Sequence, residues 1–249
     1  RRELELGGTA AAAKALELAR PRTPEEELAV LETRCRLRQA EDRGDEIPAM
    51  VQAQAKDRPD QLGGLAFLLE SFDFPAEAER LHRENAARAS KNDPVPRLAL
   101  AQFLARRGRF DEAIAECESA SATTPPGLTS AVVTNMLVHA KDPSPEVEAR
   151  LGALVEAAAA RAAEDPVVLL QLALLRTRQK RFEEAEQIYE RILAIAPDDV
   201  GALNDLAWLL GTREKDLDRA LKLVDRALEI VGPEASPLDT RAMLHLKRN

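Results

Sequence analysis

The residues best suited to chemistry are few and lie far apart in the sequence. The three histidines are His82, His139 and His245, and the two cysteines are Cys35 and Cys117. A metal site needs His, Cys, Asp and Glu ligands clustered at short, characteristic spacings, and the sequence has no such cluster. We therefore predict no metal centre and no disulfide framework, and we expect both cysteines to be small buried or half-buried residues.

Nucleophilic catalysis and nucleotide binding also lack a sequence signal. No nucleophile-elbow pattern is present, although sequence order alone does not rule out a Ser–His–Asp or Cys–His arrangement. The glycine pairs Gly7-Gly8 and Gly63-Gly64 neither follow a strand pattern nor form a phosphate-binding loop. A helix break or close packing explains them better than a nucleotide site. We predict no catalytic residues, no cofactor and no enzymatic activity.

A pair of adjacent carboxylates, Glu183 and Glu184, lies near the only tyrosine, Tyr189, in the stretch RFEEAEQIYERILAIAPDD. Adjacent residues of a helix point in different directions, so the two carboxylates are poorly placed to act together. Negative charge is favourable at the N-terminus of a helix. We expect the pair to begin a helix and Tyr189 to be a core residue on the same helix.

The composition favours an all-α protein that does not bind nucleic acid. Hydrophobic residues make up 45% of the chain but aromatic residues only 3%, and the dominant residue types are strong helix formers. The net charge of -8 and the pI of about 5.2 argue against binding a phosphate backbone. We therefore do not expect the protein to bind nucleic acid.

The sequence gives less information about membrane spans, the N-terminus and the cellular compartment. No apolar run approaches the roughly 20 residues that a membrane-spanning helix needs, so we predict no membrane span. The chain begins with Arg1-Arg2 and has no initiator Met, which leads us to expect a fragment or a processed form. The compartment stays open, with the cytoplasm preferred to the periplasm.

The chain repeats itself at intervals of about 35 residues. The segment 107–120, RGRFDEAIAECESA, aligns with 179–192, QKRFEEAEQIYERI, and both follow a helical segment that begins with Asp-Pro. An Asp at the N-cap and a Pro in the first turn are a helix-start signal, because the carboxylate accepts a free N–H and proline has none to lose. We predict repeats starting near residues 24, 59, 94, 129, 166, 200 and 235, each a helix, a turn and a second helix. Residues 1–23 are predicted to be a partial preceding unit, and residues 1–249 a single domain.

These repeats resemble tetratricopeptide (TPR) repeats, which are helix–turn–helix units of 34 residues. The match is best at 166–199. In the first helix, Leu169, Leu172 and Ala173 are at the positions where the family has two large residues and a small one. In the second helix, the family's aromatic, Ala, aromatic, packing and terminal Pro positions are occupied in that order by Phe182, Ala185, Tyr189, Ile192 and Pro197. The stretch ALNDLAWLL is similar to first helices of bacterial TPR proteins. The resemblance implies a right-handed α-solenoid of about six to seven stacked units, some degenerate and the terminal ones partial.

The resemblance also implies a concave groove lined by first helices. The groove positions of this chain are Phe67, Glu70, Gln102, Arg106, Leu174, Thr177, Arg178, Asn204, Asp205, Trp208, Asp239, Thr240 and Met243. Tryptophan is enriched at binding hot spots, although Trp208 could instead pack against the following helix near Leu238. The Lys/Asn/Arg clamp that some TPR domains use for acidic tails is absent, because Leu170, Leu174 and Asp205 occupy its slots. The Asn ladder of other TPR arrays is missing too.

We therefore expect a non-enzymatic scaffold that binds a protein or peptide partner in this groove. The alternative is the regulatory or substrate-docking arm of a larger enzyme, whose catalytic domain would lie outside this sequence. A homo-oligomeric array is the third reading. The sequence names neither the partner nor the pathway.

Overall fold

The computed structural model describes residues 8–90, 92–121, 123–140 and 143–248. All regular structure within these ranges is helical, which confirms the all-α fold. The chain forms two compact units, Arg1–Phe103 and Leu104–Asn249.

The first unit contains, among its described residues, five helices and most of a sixth. They are α1 (Thr9–Leu18), α2 (Pro24–Ala40), α3 (Ile47–Asp57), α4 (Leu62–Ser71), α5 (Pro75–Arg88) and α6 (Val95–Arg106). Single 3₁₀ turns, Gly44–Glu46 and Pro59–Gln61, precede α3 and α4. Gly63 and Gly64 lie inside α4, and a Cβ atom on Gly64 would be 2.7 Å from Leu28 Cδ1. Close packing therefore explains this pair; Gly8 precedes α1, and Gly7 lies outside the described residues.

The second unit is an array of helical hairpins. Its helices are α7 (Phe110–Ser121), α8 (Pro126–His139), α9 (Pro145–Arg161), α10 (Pro166–Arg178), α11 (Phe182–Ile195), α12 (Val200–Thr212), α13 (Leu217–Val231) and α14 (Ala235–Arg248). The pairs α8–α9, α10–α11 and α12–α13 pack along their lengths, and α14 packs against both α12 and α13. We call α8, α10, α12 and α14 the first helices, and α9, α11 and α13 the second helices. That residues 1–249 form one array stays a prediction.

Local sequence signals explain where these helices begin. Asp165 Oδ1 accepts the backbone N–H of Val167 at 2.9 Å, and Asp199 Oδ1 accepts that of Ala202 at 2.8 Å. Ser144 caps α9 in the same way. Each cap satisfies one of the N–H groups that the first turn leaves without a partner. The first helix of the repeat predicted near residue 129 starts slightly earlier, at Pro126, because proline is well suited to the first helical position.

The first helices lie closer together than the second helices. From α8 onward each first helix contacts the next, whereas α9, α11 and α13 have far fewer backbone contacts with one another. Exposed ion pairs bridge that wider spacing, such as Arg219 to Glu190 between α13 and α11. An array whose helices crowd on one side curves toward that side. The first helices therefore form the inner row of the second unit and the second helices form the outer row.

Small and large residues interlock in the core between α10 and α13. Tyr189 of α11 is 1% exposed, and Ala173 and Ala185 are fully buried where α10 and α11 meet. Leu206 and Ala207 of α12 belong to the same cluster. A pair of helices cannot bury its apolar stripe alone, so each hairpin depends on the next. The predicted core role of Tyr189 is confirmed.

Gly211 marks a close approach between α12 and α14. A Cβ atom there would lie 2.4 Å from Leu244 Cδ2 and 3.0 Å from Met243 Cε, and Leu244 is completely buried. We expect Gly211→Ala to lower the free energy of unfolding by about 1–3 kcal/mol, as other overpacking substitutions do. Chemical denaturation followed by far-UV circular dichroism measures the change.

Gly152 of α9 provides the matched control. It is also a buried helical glycine, but an added Cβ atom would meet its nearest neighbour, Leu175 Cδ1, at an ordinary 3.6 Å. Gly152→Ala should raise the free energy of unfolding by about 0.5–1 kcal/mol, because alanine favours the helix over the unfolded chain. Equal effects of the two substitutions would contradict the packing argument.

Candidate partner-binding face

Contacts between successive first helices fix how their faces align. A Cβ atom on Gly201 of α12 would meet Leu170 Cδ2 of α10 at 3.2 Å. Asn204 Nδ2 of α12 donates to Ser236 Oγ of α14 at 3.3 Å, and Gly211 faces Met243. Neighbouring first helices are thus paired at offsets of 31 residues (α10 to α12) and 32 residues (α12 to α14).

These offsets place Trp208 level with the middle of α14. Trp208 lies between Asn204 and Gly211 on α12, so residues 239 and 240 of α14 are its neighbours across the helices. Its side chain is 44% exposed, whereas Thr240 is 5% exposed. Asp239 is exposed and Leu238 is half-buried. A large part of the indole therefore remains open on the inner row.

Asp205 is a partly buried carboxylate on the same side of α12. Its Oδ1 accepts a hydrogen bond from Asn204 Nδ2 at 3.2 Å. Burial raises the pKa of Asp205 to about 6; the Asn204 hydrogen bond lowers it, and the charge of Asp199 raises it further. The charge of Asp205 also helps to raise the pKa of Tyr189, whose main cause is burial. Asp205 is thus only partly exposed, and its surroundings disfavour the charged form of its carboxyl group.

We use the name inner face for the accessible side chains Leu170, Leu174, Asp205, Trp208 and Asp239 on α10, α12 and α14. Leu170 and Leu174 are half-buried, and the helical spacing places both on the side of α10 that meets α12. The face combines an aromatic ring, two aliphatic side chains and two carboxylates. Of the predicted groove residues, Met243 borders it and packs against Gly211.

Asn204 and Arg178 are predicted groove residues that are engaged within the protein. Asn204 is 9% exposed, and its amide links α12 to α14 through Ser236. Arg178 donates to Glu148 of α9 at 2.6 Å. Arg178, Glu148 and five neighbours line a cleft of about 240 Å³ between α8, α9 and α10: Leu137, Pro145, Ala149, Leu175 and Gln179. Arg178 therefore lies at a cleft beside the inner face.

The remaining predicted groove residues lie nearer the start of the chain. Phe67 of α4 is 67% exposed. Gln102 of α6 is half-buried within the first unit, and Arg106 is exposed at the beginning of the second. Glu70 is engaged with His82 Nε2 at 2.8 Å, and the His82 ring lies 5.1 Å from that of Phe103. His82 is thus part of a buried polar and aromatic contact.

The cysteines are buried, as expected. Burial raises the pKa of the Cys117 thiol to about 12 and that of the Cys35 thiol to about 11, and nearby glutamates add to both shifts. A thiol that stays protonated is a poor nucleophile. Within the described residues no group of three or more His, Cys, Asp and Glu side chains is arranged to hold a metal ion.

The carboxylates Glu183 and Glu184 occupy the first turn of α11 and form separate ion pairs. Glu183 accepts a hydrogen bond from Arg213, and Glu184 pairs with Arg181 at 2.6 Å. The pKa of Glu183 is lowered by a backbone hydrogen bond and by Arg213. The two carboxylates thus begin a helix, as predicted, and do not act as a pair.

Comparison with known proteins places part of this array in a family. A tetratricopeptide repeat family model matches residues 164–231, the segment that contains α10–α13. No curated protein sequence matches the chain significantly. No helix in the described part of the chain combines the length and the apolar character that crossing a bilayer requires.

Solved structures show the same fold at low sequence identity. A tetratricopeptide repeat protein from Parabacteroides merdae ATCC 43184 has a TM-score of 0.54 and 11% identity over 100% of this chain and 95% of that one. TTC0263, a thermophilic TPR protein of Thermus thermophilus, has a TM-score of 0.52 and 19% identity over 76% and 98%. A chain of the APC/C hetero-tetramer Cut9-Hcn1 has a TM-score of 0.53 and 14% identity over 98% and 47%. At these identities the likeness concerns the fold alone.

Proposed function

The chain contains tetratricopeptide repeats at residues 164–231, and we propose that its second unit is a non-enzymatic scaffold that binds a protein or peptide along the inner face. Repeat arrays of this kind present an extended curved surface rather than an enclosed pocket. An extended peptide fits such a surface, because it reaches several repeats at once.

Trp208 is the observation that carries this proposal. A large aromatic side chain that is 44% exposed on the crowded side of the array leaves much of its ring available to a partner. Beside it, Leu170 and Leu174 offer further apolar surface, and Asp205 and Asp239 supply polar groups at the rim. Interfaces draw most of their affinity from such an aromatic anchor surrounded by polar residues.

A displayed random-peptide library tests the proposal. We expect selection on the 249-residue chain to enrich peptides that bind with micromolar affinity, measured by the fluorescence anisotropy of a dye on the peptide because Trp208 is the only tryptophan. Trp208→Ala should weaken these peptides by about tenfold or more, as at other interface hot spots. Circular dichroism of the variant establishes that the helices are retained.

Ile230 of α13 gives the control on the outer row. It is 39% exposed, close to the value for Trp208, but it lies on a second helix. Ile230→Ala should leave the affinity of the selected peptides unchanged. Peptides that bind the Trp208→Ala variant as tightly as the parent, or that are lost with Ile230→Ala, would refute binding at the inner face.

A further inference from the structure

Acidic residues near the outer row are matched with basic partners. Between residues 183 and 229 these carboxylates pair with Arg or Lys side chains: Glu183, Glu184, Glu186, Glu190, Asp198, Glu214, Asp218, Asp225 and Glu229. Two other acids of this range, Asp199 and Asp216, cap helices. The second unit thus satisfies these carboxylates from within its own chain.

Asp205 and Asp239 of the inner face are not paired in this way, and neither are the exposed Glu146 and Glu234. Asp205 and Asp239 have no basic side chain within 4 Å in the part of the structure between residues 143 and 248, which is described without a gap. Asp205 receives one hydrogen bond, from the neutral amide of Asn204. The Oδ1 atom of Asn204 is buried and has no hydrogen-bond donor in the same part of the chain. The two carboxylates of the inner face can therefore accept further hydrogen bonds, whereas the buried Asn204 Oδ1 atom is closed to a ligand.

A cation would complete this arrangement. Asp205 and Trp208 are three residues apart on α12, so their side chains share one side of the helix. The offset between α12 and α14 puts Asp239 at about the level of Trp208 along the helices. A cation over the face of an indole is attracted by the ring's electrons, and the attraction grows when water is excluded. One carboxylate thus lies three residues before the indole on α12, and a second lies at its level on α14.

We propose that the inner face recognises an extended peptide that carries an arginine, whose guanidinium lies over Trp208 between Asp205 and Asp239. This specificity rests on the proposed function. A guanidinium has five N–H donors in one plane, can hydrogen bond to a carboxylate through two of them and stacks on aromatic rings. Lysine offers the charge without the planar fork, so it is the weaker ligand. An acidic segment is repelled, since the face holds two unpaired carboxylates.

The test uses a synthetic peptide selected for binding to the chain, with one position varied. Each position in turn is replaced by arginine, lysine, citrulline, glutamine or glutamate, and affinities are measured by the fluorescence of Trp208. Citrulline keeps the shape of arginine but has no charge. We expect one position at which arginine binds about tenfold tighter than citrulline, lysine lies between them and glutamate abolishes binding.

Variants of the chain test whether Asp205 and Asp239 cause the preference for arginine. In the double variant Asp205→Asn, Asp239→Asn, arginine and citrulline peptides should bind equally, while the apolar part of the affinity is retained. The matched control is Glu190→Gln on the outer row, which should keep the preference for arginine. Helical circular dichroism and the denaturation midpoint establish that the double variant is folded. Complete loss of binding by a folded double variant would overturn the roles assigned to the two carboxylates.

The outcomes separate the two proposals. Peptides that bind at Trp208 without preferring arginine to citrulline at any position overturn the specificity and leave the scaffold function standing. A preference for arginine that survives in the double variant also overturns it. Selection of no peptide at all, or of peptides insensitive to Trp208→Ala, overturns the scaffold function at this face and with it the specificity.

Discussion

Replacing Tyr189 by alanine should lower the free energy of unfolding by about 3–5 kcal/mol, the cost of removing a large aromatic side chain from a core. Tyr189 is 1% exposed and belongs to the cluster shared by α10, α11, α12 and α13. The cavity would open between Ala173 and Ala185, which are too small to fill it. Because each repeat is stable only through its neighbours, the loss should reach the whole second unit. Urea denaturation followed by far-UV circular dichroism and by the fluorescence of Trp208 measures it.

Tyr189→Phe separates packing from hydrogen bonding. Burial and the charge of Asp205 raise the pKa of Tyr189, and the side chain of Thr177, whose hydroxyl donates to the carbonyl of Ala173 at 2.9 Å, lowers it. Phenylalanine keeps the ring, so we expect a loss of at most about 1 kcal/mol, the contribution of one hydrogen bond. Gln187→Ala, at an exposed position of the same helix, should change little. A loss for Tyr189→Ala no larger than that for Tyr189→Phe would contradict the core assignment.

Replacing Asp205 by asparagine should stabilise the protein at neutral pH. The folded protein raises the pKa of Asp205 from 3.8 to about 6 because the carboxylate is largely shielded from water. The folded state therefore holds this proton to a higher pH than the unfolded chain does. Each unit of difference in pKa is worth about 1.4 kcal/mol, so the ionised carboxylate costs about 2–3 kcal/mol at pH 7. Asp205→Asn removes that cost and keeps a group of similar shape.

The contribution of Asp205 to the free energy of unfolding should change with pH in a defined direction. Below pH of about 4 both states are protonated and Asp205 carries no penalty. As the pH rises from about 4 to about 6, the unfolded chain loses the proton first, and the contribution of Asp205 to stability falls. Denaturation midpoints of the parent and of Asp205→Asn should therefore agree at low pH and separate as the pH rises toward neutrality. A variant that is less stable than the parent at pH 7 would contradict this account.

The two proposals about Asp205 support each other. Stability and function are often traded against each other at binding sites, so a carboxylate that lowers the stability of the folded protein is compatible with a binding role. Asp205→Asn is expected to raise the denaturation midpoint and, together with Asp239→Asn, to abolish the preference for arginine. No simple structural role of Asp205 predicts both changes.

Much of the fold could be predicted from the sequence because the strongest signals are local. Asp165 followed by Pro166 starts α10, and the helical spacing of Phe182, Ala185 and Tyr189 identifies the buried side of α11. Such signals depend on neighbours within a few residues, which the sequence displays directly. Helices α2, α10, α12 and α14 begin at Pro24, Pro166, Val200 and Ala235, four of the seven positions predicted as repeat starts, while the division into repeat units stays a prediction.

The inner face was harder to predict because it depends on how the helices are offset. Asn204 and Asp205 are adjacent in sequence, but Asn204 is buried against Ser236 and Asp205 remains partly accessible. Only the offset of 32 residues between α12 and α14 decides which of the two is covered. Arg178 is a second example, because its partner Glu148 lies 30 residues earlier. The repeat length indicates that such pairs exist but does not identify them.

The ion pairs between repeats have a consequence for folding fidelity. Arg213 reaches back 30 residues to Glu183, Lys215 and Arg219 reach back 29 residues, and Arg226 reaches back 28. Each exposed pair contributes little free energy. Together they can form only when consecutive hairpins stack in the correct order and without slipping by a turn, since a slip would separate opposite charges. Repeats with similar sequences are prone to dock in the wrong order as they fold. We therefore expect the outer charges to favour correct docking of these two hairpins, and high salt to increase the fraction of misdocked chains during refolding.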